Sequence, residues 1–315
     1  MEGVMMRSGD HYALAVRRPD GRIVAERKPW FTLTKSPFLK RRFIRGCPIL
    51  IETMVNGIKT LNRSAEQAFD EAAVDKNGKP EGELKPWHLV VTMIVSILMA
   101  IGLFVVLPHV FSMAMGWLGL GGDVDGLSFH IWDGFFKFAI FIGYILAISF
   151  VPDIKRVFQY HGAEHKTICA FEASGQSEVS AQTAALCSRL HPRCGTTFML
   201  FVLSIAIILH AILVPALMLI WTPENTIAKH AVTVFFKLVL MLPISAIAYE
   251  VIRYSACLGD GIFSTMLKAP GMLLQRLTTK EPDEAQLEVA IVALKEALGD
   301  DAPSTIRTAA YSPME

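Results

Sequence analysis

Four long apolar runs constrain this chain more than any other feature of its sequence. The clearest is Leu89–Leu107, which has no charged residue and is long enough to cross about 30 Å of hydrocarbon as a helix. The other three are Ile131–Val151, Thr196–Trp221 and Ala231–Tyr249. Charged residues make up 19% of the chain, below the roughly one quarter that is typical of soluble domains. We therefore predict a mainly α-helical, polytopic membrane protein with four transmembrane helices.

Ionisable residues interrupt the last three of these runs. Asp133 and Lys137 are four positions apart, so they share one face of a helix and are expected to pair. His210 and Lys237 lie inside the third and fourth runs. A hydrogen bond inside the bundle is the simplest role for His210. If Lys137, Lys237 and His210 instead line one polar path, the protein is a transporter or channel.

Lysine and arginine residues determine the expected orientation in the membrane. They are abundant before the first run, recur in residues 152–195, and follow the fourth run. Residues 108–130 contain none, and residues 222–230 contain only Lys229. Because basic segments stay in the cytoplasm, both termini are predicted to be cytoplasmic.

Residues 1–86 are expected to form a small cytoplasmic region of mixed α and β structure. Two short strand-like runs, Tyr12–Val16 and Arg22–Ala25, flank a turn sequence at residues 18–21. That turn sequence is Arg-Pro-Asp-Gly, whose proline and glycine favour a tight reversal of the chain. The pattern predicts a β-hairpin.

An amphipathic helix is predicted between Phe38 and Phe69. Apolar residues recur there at helical spacing, after a basic cluster at residues 40–42. That combination is typical of a helix that lies at a membrane surface or packs on neighbouring domains. Residues 76–85 contain glycine and proline and are interpreted as a linker into the membrane domain, which we place at residues 87–257.

The C-terminal part, residues 258–299, is expected to be helical and cytoplasmic. Pro270 and Gly271 are predicted to break the chain, and a helix is predicted from Pro282 to Gly299. Five residues form one apolar stripe on that helix: Leu287, Ala290, Ile291, Leu294 and Leu298. An amphipathic helix that docks on its own domain is the favoured interpretation, and a helix that binds a protein partner is the alternative. Residues 300–315 are expected to be a disordered tail.

The chemistry-bearing residues are concentrated in the cytoplasmic loop at residues 152–195. Pro152-Asp153 and Ser174 are start and stop signals for a helix. On that helix His161 and His165 lie one turn apart on one face, which is the separation at which two imidazoles bind one metal ion. Glu164 completes the string His-x-x-Glu-His and is the candidate catalytic base for a metal-bound water.

Three further residues are candidate metal ligands. His191 and Cys194 lie just before the third run, and a cytoplasmic cysteine stays reduced and is a good zinc ligand. Glu250 lies at the cytoplasmic end of the fourth run, where it either pairs with Arg253 or serves as a ligand or as a partner of a histidine. We therefore predict a divalent metal, zinc being the best match, held by His161, His165, His191, Cys194 and Glu250.

Two alternatives about this site remain open at this point. If His161, His165, His191 and Cys194 all bind the metal, the site is closed and structural, whereas three ligands leave a position for water. Gly162 disfavours a helix by about 1 kcal/mol relative to alanine. It marks either the close approach of another helix or a break in this one.

Several classes of protein are excluded by the sequence. The net charge of +1 does not indicate a nucleic-acid-binding surface. No phosphate-binding glycine loop, dinucleotide fingerprint or serine nucleophile elbow is present. Five cysteines without a Cys-x-x-Cys pair do not suggest a disulfide framework.

Five motifs, in order along nearly the whole chain, resemble the YqhQ-like family of bacterial membrane proteins: Met1–Arg7, Tyr160–Lys166, His191–Thr196, Tyr249–Tyr254 and Pro270–Thr279. That family is a domain of unknown function that is often described as a predicted metal-dependent enzyme. The resemblance implies a multi-pass protein of the bacterial inner membrane. Members usually carry a Gly-Gly-Gln-Ala-type stretch before the string that begins at Glu2, and this chain lacks it.

Two functional hypotheses of different classes follow. The first is a metal-dependent hydrolase in which His161 and His165 bind the metal and Glu164 activates water. The second is a non-catalytic scaffold or accessory subunit, forming a homo-oligomer, in which the histidine-rich loop is structural. Transport is the third and weaker hypothesis.

Overall fold

The computed structural model describes residues 2–68, 86–174, 178–192, 194–257 and 261–314. The described strands are β1 (Gly3–Ser8), β2 (His11–Arg17), β3 (Ile23–Pro29) and β4 (Tyr311–Pro313). The described helices are α1 (Gly46–Ala68), α2 (Pro86–Ile101), α3 (Leu107–Trp117), α4 (Leu127–Ser149), α5 (Pro152–Ser174), α6 (Ala181–Ala185), α7 (Gly195–Ile220), α8 (Thr226–Cys257), α9 (Ile262–Thr278) and α10 (Glu284–Leu298). The linker expected at residues 76–85 lies outside the described residues.

Four helical segments are long and apolar enough to cross a membrane, as predicted. They are Val90–Trp117, Leu127–Ser149, Met199–Ile220 and Thr226–Val251. The first is longer than predicted, because the chain stays helical through Pro108 instead of leaving the membrane there. A π-helical turn precedes this proline, and the N–H of Leu107 bonds to the carbonyl of Gly102, five residues earlier. Such a wide turn accommodates a residue that has no N–H of its own.

The N-terminal strands form the predicted hairpin and extend it. Strands β2 and β3 pair antiparallel, and the N–H of Arg18 donates to the carbonyl of Arg22 across the turn. Two strands were not predicted: β1 pairs antiparallel with β2, and β4 pairs parallel with β3. The tail expected to be disordered therefore holds a strand, because its backbone finds hydrogen-bonding partners on an N-terminal strand.

Helix α1 is amphipathic, but its polar face is the buried one. Glu52 and Asn56 are at most 3% exposed, whereas Met54 is 55% exposed. The Glu52 carboxylate accepts hydrogen bonds from the backbone N–H groups of Leu33 and Thr34, at 2.6 and 2.7 Å. The outward apolar side chains are Ile51, Met54, Ile58 and Leu61. Polar contacts therefore hold α1 on the protein and leave its apolar face uncovered.

The C-terminal helices differ from the prediction at Pro270. Helix α9 continues through this residue, so the predicted break is wrong. Pro270 lies on the exposed face of α9, whereas Gln275, further along the helix, is fully buried. Packing of the buried face on α7 outweighs the one backbone hydrogen bond that the proline removes.

Helix α10 is the centre of the core that it forms with the N-terminal sheet, α5 and α6. It begins after Asp283, whose side chain accepts from the N–H of Gln286, and it ends at Gly299 as predicted. Ala290, Val292 and other residues around the helix are buried against the sheet, α5 and α6. This arrangement agrees with the favoured interpretation, in which the helix docks on its own domain.

Candidate metal centre

Helix α5 has the predicted bounds and presents three candidate residues. His161 and His165 lie one turn apart, with their ring centroids 4.4 Å from each other. Gly162 lies between them in an unbroken helix. A Cβ atom on Gly162 would collide with the carbonyl oxygen of Lys280, so this glycine marks a close approach. The approaching segment is the chain that follows α9, not another helix.

Backbone carbonyl groups fix the orientation of both histidines. Nδ1 of His161 lies 2.9 Å from the carbonyl oxygen of Thr278, and Nδ1 of His165 lies 2.6 Å from that of Arg189. A carbonyl oxygen can only accept, so each Nδ1 carries the proton and donates it. Each Nε2 then keeps its lone pair, as in histidines that bind metals.

Cys194 completes a group of three donor atoms. Its Sγ lies 3.1 Å from Nε2 of His161, and the ligand atoms of His161, His165 and Cys194 all lie within 4.8 Å of one another. Tetrahedral zinc with bonds of about 2.0–2.3 Å needs donor atoms roughly 3.5 Å apart, so no pair of ligand atoms would have to approach by more than about 1.3 Å. Two imidazole nitrogens and one thiolate are a donor set that suits zinc.

The segment that carries Cys194 is held by the end of α9. The Gln275 side chain accepts from the N–H of His191 and donates to its carbonyl oxygen, both at 2.8 Å. The guanidinium of Arg189 donates to the carbonyl of Thr279 at 2.6 Å. Sequence reasoning did not find Gln275, because a lone glutamine carries no metal-binding signal.

His191 and Glu250 lie outside this group of three. Nε2 of His191 lies 3.4 Å from the carboxylate of Glu172. The Glu250 carboxylate accepts two hydrogen bonds from Arg45, at 2.7 and 2.6 Å, and the structure gives it this partner instead of Arg253. The structure therefore brings together three of the five predicted ligands.

A cavity of about 590 Å³ adjoins the metal-binding residues. Both His161 and Glu164 lie in its wall. Most of the remaining lining is apolar and comes from β1, β2, α1, α4 and α7, including Val4, Leu14, Leu61, Ile145, Ile148 and Met199. Burial in these surroundings raises the pKa of the Glu164 carboxyl, and the neighbouring His161 opposes that increase. The geometry thus combines three residues that could hold a metal ion, a carboxyl group and an apolar chamber.

Comparisons with known proteins agree with the resemblance seen in the sequence. A family model described as "Protein of unknown function (DUF1385)" matches residues 42–300, which contain all the candidate ligands. The Bacillus subtilis (strain 168) protein named "Uncharacterized protein YqhQ" is 32% identical over 312 residues. That alignment covers 95% of this chain and 90% of the relative. No solved structure matches the chain.

Proposed function

This chain belongs to the DUF1385 family of YqhQ-like proteins, and we propose that it is a zinc-dependent hydrolase of the bacterial inner membrane. One observation carries the proposal. Nε2 of His161 and of His165 are both left as acceptors by carbonyl groups, and Cys194 lies beside them. Three protein ligands leave the fourth position of tetrahedral zinc for water or substrate.

Glu164 is the proposed general base. It lies three residues after His161 and directly before His165, and it lines the same cavity as His161. Zinc, when bound, polarises the substrate and makes that water more acidic. Glu164 accepts the proton of the water and returns it to the leaving group.

The proposed substrate is an amphiphile with one long apolar chain. The chamber beside Glu164 is of a size typical for ligands, and its wall is mainly apolar. It lies between α4, near the end of the second span, and α1, whose apolar face is uncovered. The exposed basic residues Lys40, Arg41 and Arg42 precede α1 and suit anionic lipid headgroups. An apolar chain enters this chamber from the cytoplasmic leaflet, which leaves its polar end at the metal.

Metal analysis of the purified full-length protein tests the metal centre. We expect about one equivalent of zinc, in the wild type and in a His11→Ala control on the exposed end of β2. His161→Ala, His165→Ala and Cys194→Ala each remove most of it. A wild-type content of zinc, manganese and iron below about a tenth of an equivalent overturns the proposal.

The Glu164→Gln variant tests catalysis. With the metal content unchanged, we expect hydrolysis of a long-chain chromogenic ester in mixed micelles to fall about 10²–10⁴-fold, because the base is lost. A short-chain ester is the control for the apolar chamber and is hydrolysed more slowly by the wild type. Wild-type turnover by Glu164→Gln would contradict the role of Glu164 as the base. No hydrolysis by the wild type itself would instead favour the non-catalytic scaffold with a structural metal.

A further inference from the structure

A second group of ionisable side chains lies inside the membrane-spanning segments. It joins α3, α4, α7 and α8, and its members are different residues from the described ligands of the candidate metal centre. Its members are His109, Asp133, Lys137, His210, His230 and Lys237. Ionisable residues are rare in the membrane interior, and their presence there usually indicates a function.

Three of these residues form an ionic core. The Asp133 carboxylate accepts from Nζ of Lys237 at 2.7 Å and from Nζ of Lys137 at 3.1 Å. All three residues are at most 4% exposed. The core thus has two amines and one carboxylate, so it carries an excess positive charge when every group is ionised.

Histidines extend the ionic core in both directions. Nζ of Lys237 lies 3.2 Å from Nδ1 of His109, and Nε2 of His109 lies 2.9 Å from Nδ1 of His230. At the other end, Nζ of Lys137 lies 3.5 Å from Nδ1 of His210. Nε2 of His210 is buried and has no hydrogen-bond partner among the described residues. The chain of contacts therefore ends inside the bundle on that side.

His230 connects the network to a vestibule at the other end. This cavity has a volume of about 420 Å³ and is lined by His230, Asp123 and Phe129, among others. Lys229 donates to Asp123 at 2.8 Å and also pairs with Asp125. The hydrogen bond from Lys229 lowers the pKa of Asp123. The two carboxylates, Asp123 and Asp125, outnumber the one amine of Lys229. This end of the network therefore carries a net negative charge, which attracts protons.

We propose that the ionic core is a reversible proton-binding site that exchanges protons with the vestibule through His230 and His109. The membrane interior disfavours net charge, so the core favours the form in which one lysine is a neutral amine. A proton from water in the vestibule binds His230, which passes its other N–H proton to His109. His109 in turn protonates the neutral amine of Lys237, so one proton leaves the water and one ammonium group forms.

The residues around the network allow proton exchange with water at the vestibule end only. Among the described residues, the groups that face the network are His130, whose Nε2 lies 3.0 Å from the carbonyl of Val124, and Asp123 in the vestibule wall. Lys229, which pairs with Asp123 and Asp125, lies beside the vestibule. From residue 138 to residue 143, α4 has no ionisable side chain on its course towards the metal centre. The proton path thus opens at the end of α4 opposite the candidate hydrolytic site.

Potentiometric titration of the full-length protein in detergent tests the proton-binding site. Between about pH 6 and about pH 9, below the usual lysine pKa, we expect Lys237→Met to bind about one proton fewer than the wild type. Lys229→Met is the matched control, because it removes a lysine of the vestibule and leaves the proton count unchanged. Equal proton counts for wild type and Lys237→Met would mean that the core is permanently ionised, which overturns the proposal.

Two further variants keep the test independent of how well Lys237→Met folds. Lys137→Met removes the other amine and is expected to cause the same loss of about one proton. His230→Phe retains the ionic core, so its proton count stays the same. After a pH jump followed with an indicator dye, we expect its proton uptake to be slower by at least about tenfold. An unchanged uptake rate contradicts the route through His230.

Discussion

At the scale of single residues, carbonyl groups from distant segments determine what the two histidines of α5 can bind. Thr278 follows His161 by more than a hundred residues, yet its carbonyl fixes the tautomer of that ring. Arg189 does the same for His165. A metal ligand is useful only when its free nitrogen points at the site. The candidate centre therefore depends on how the end of α9 lies against α5.

Gly162→Ala tests this dependence. The added methyl group meets the carbonyl oxygen of Lys280 and displaces the segment that carries Thr278. We expect a loss of about 1–3 kcal/mol in unfolding free energy, as for other overpacked sites, together with weaker zinc binding. Thermal unfolding with and without zinc measures both effects. Gly143→Ala, whose new methyl group meets no atom within 4 Å, is the control. Equal zinc affinity in the two variants would contradict the proposed role of Thr278.

Much of the candidate site could be predicted from local spacing. His161, Glu164 and His165 lie within five residues, and helical periodicity alone places them on one face. His191 and Glu250 were predicted from their proximity in sequence to span ends, which does not determine where a side chain points. The backbone of His191 forms hydrogen bonds with the Gln275 side chain, and the Glu250 carboxylate is paired with Arg45. Both outcomes depend on long-range contacts.

At the scale of elements, close backbone packing and the Arg45–Glu250 ion pair hold the start of α1 against α8. A Cβ atom on Gly46 would lie 2.7 Å from Cα of Ala246 in α8. The adjacent residue, Arg45, makes its two hydrogen bonds to Glu250 one turn further along α8. Periodicity predicted this helix, but it did not predict that the polar stripe would be the buried one. The polar side chains are needed to pair with the backbone of residues 31–34.

Two glycines of α1 give a matched comparison. Gly46→Ala is expected to push α1 away from α8 and to lower the unfolding free energy by about 1–3 kcal/mol. Gly57→Ala adds a methyl group that meets no atom within 4 Å. It is expected to raise stability by about 0.5–1 kcal/mol, because alanine loses less backbone entropy in a helix. Thermal melts in detergent compare the two variants, and equal destabilisation would contradict close α1–α8 packing.

At the scale of the whole molecule, the two sites lie at opposite ends of α4. The vestibule adjoins its first residues, and the apolar chamber adjoins Tyr144 and Ile148 near its end. Hydropathy predicted the four spans, and the basic residues predicted which side each loop occupies. Strand β4 was not predicted because its partner β3 is set by tertiary packing and not by local sequence. Strand β1 pairs with β2 across the two-residue turn Gly9-Asp10, a local signal that the sequence analysis missed.

Cysteine labelling tests the proposed orientation. In a chain whose native cysteines are replaced by serine, Leu120→Cys and Leu186→Cys each place one thiol at an exposed position. We expect a membrane-impermeant maleimide to label Leu120→Cys in intact cells and Leu186→Cys only after permeabilisation, because loops rich in lysine and arginine are predicted to be cytoplasmic. The reverse pattern would place the metal centre outside the cytoplasm.

Strand β4 also has a consequence for the order in which the protein is made. The sheet that begins with residue 3 gains its fourth strand from residues 311–313, and the shared core includes Ile306. Those residues leave the ribosome after the four candidate spans of the described residues have been synthesised. While the spans are inserted, the N-terminal hairpin therefore lacks the part of its core that the C-terminal residues supply. Completion of the four-stranded sheet thus requires that the four candidate spans have already been synthesised.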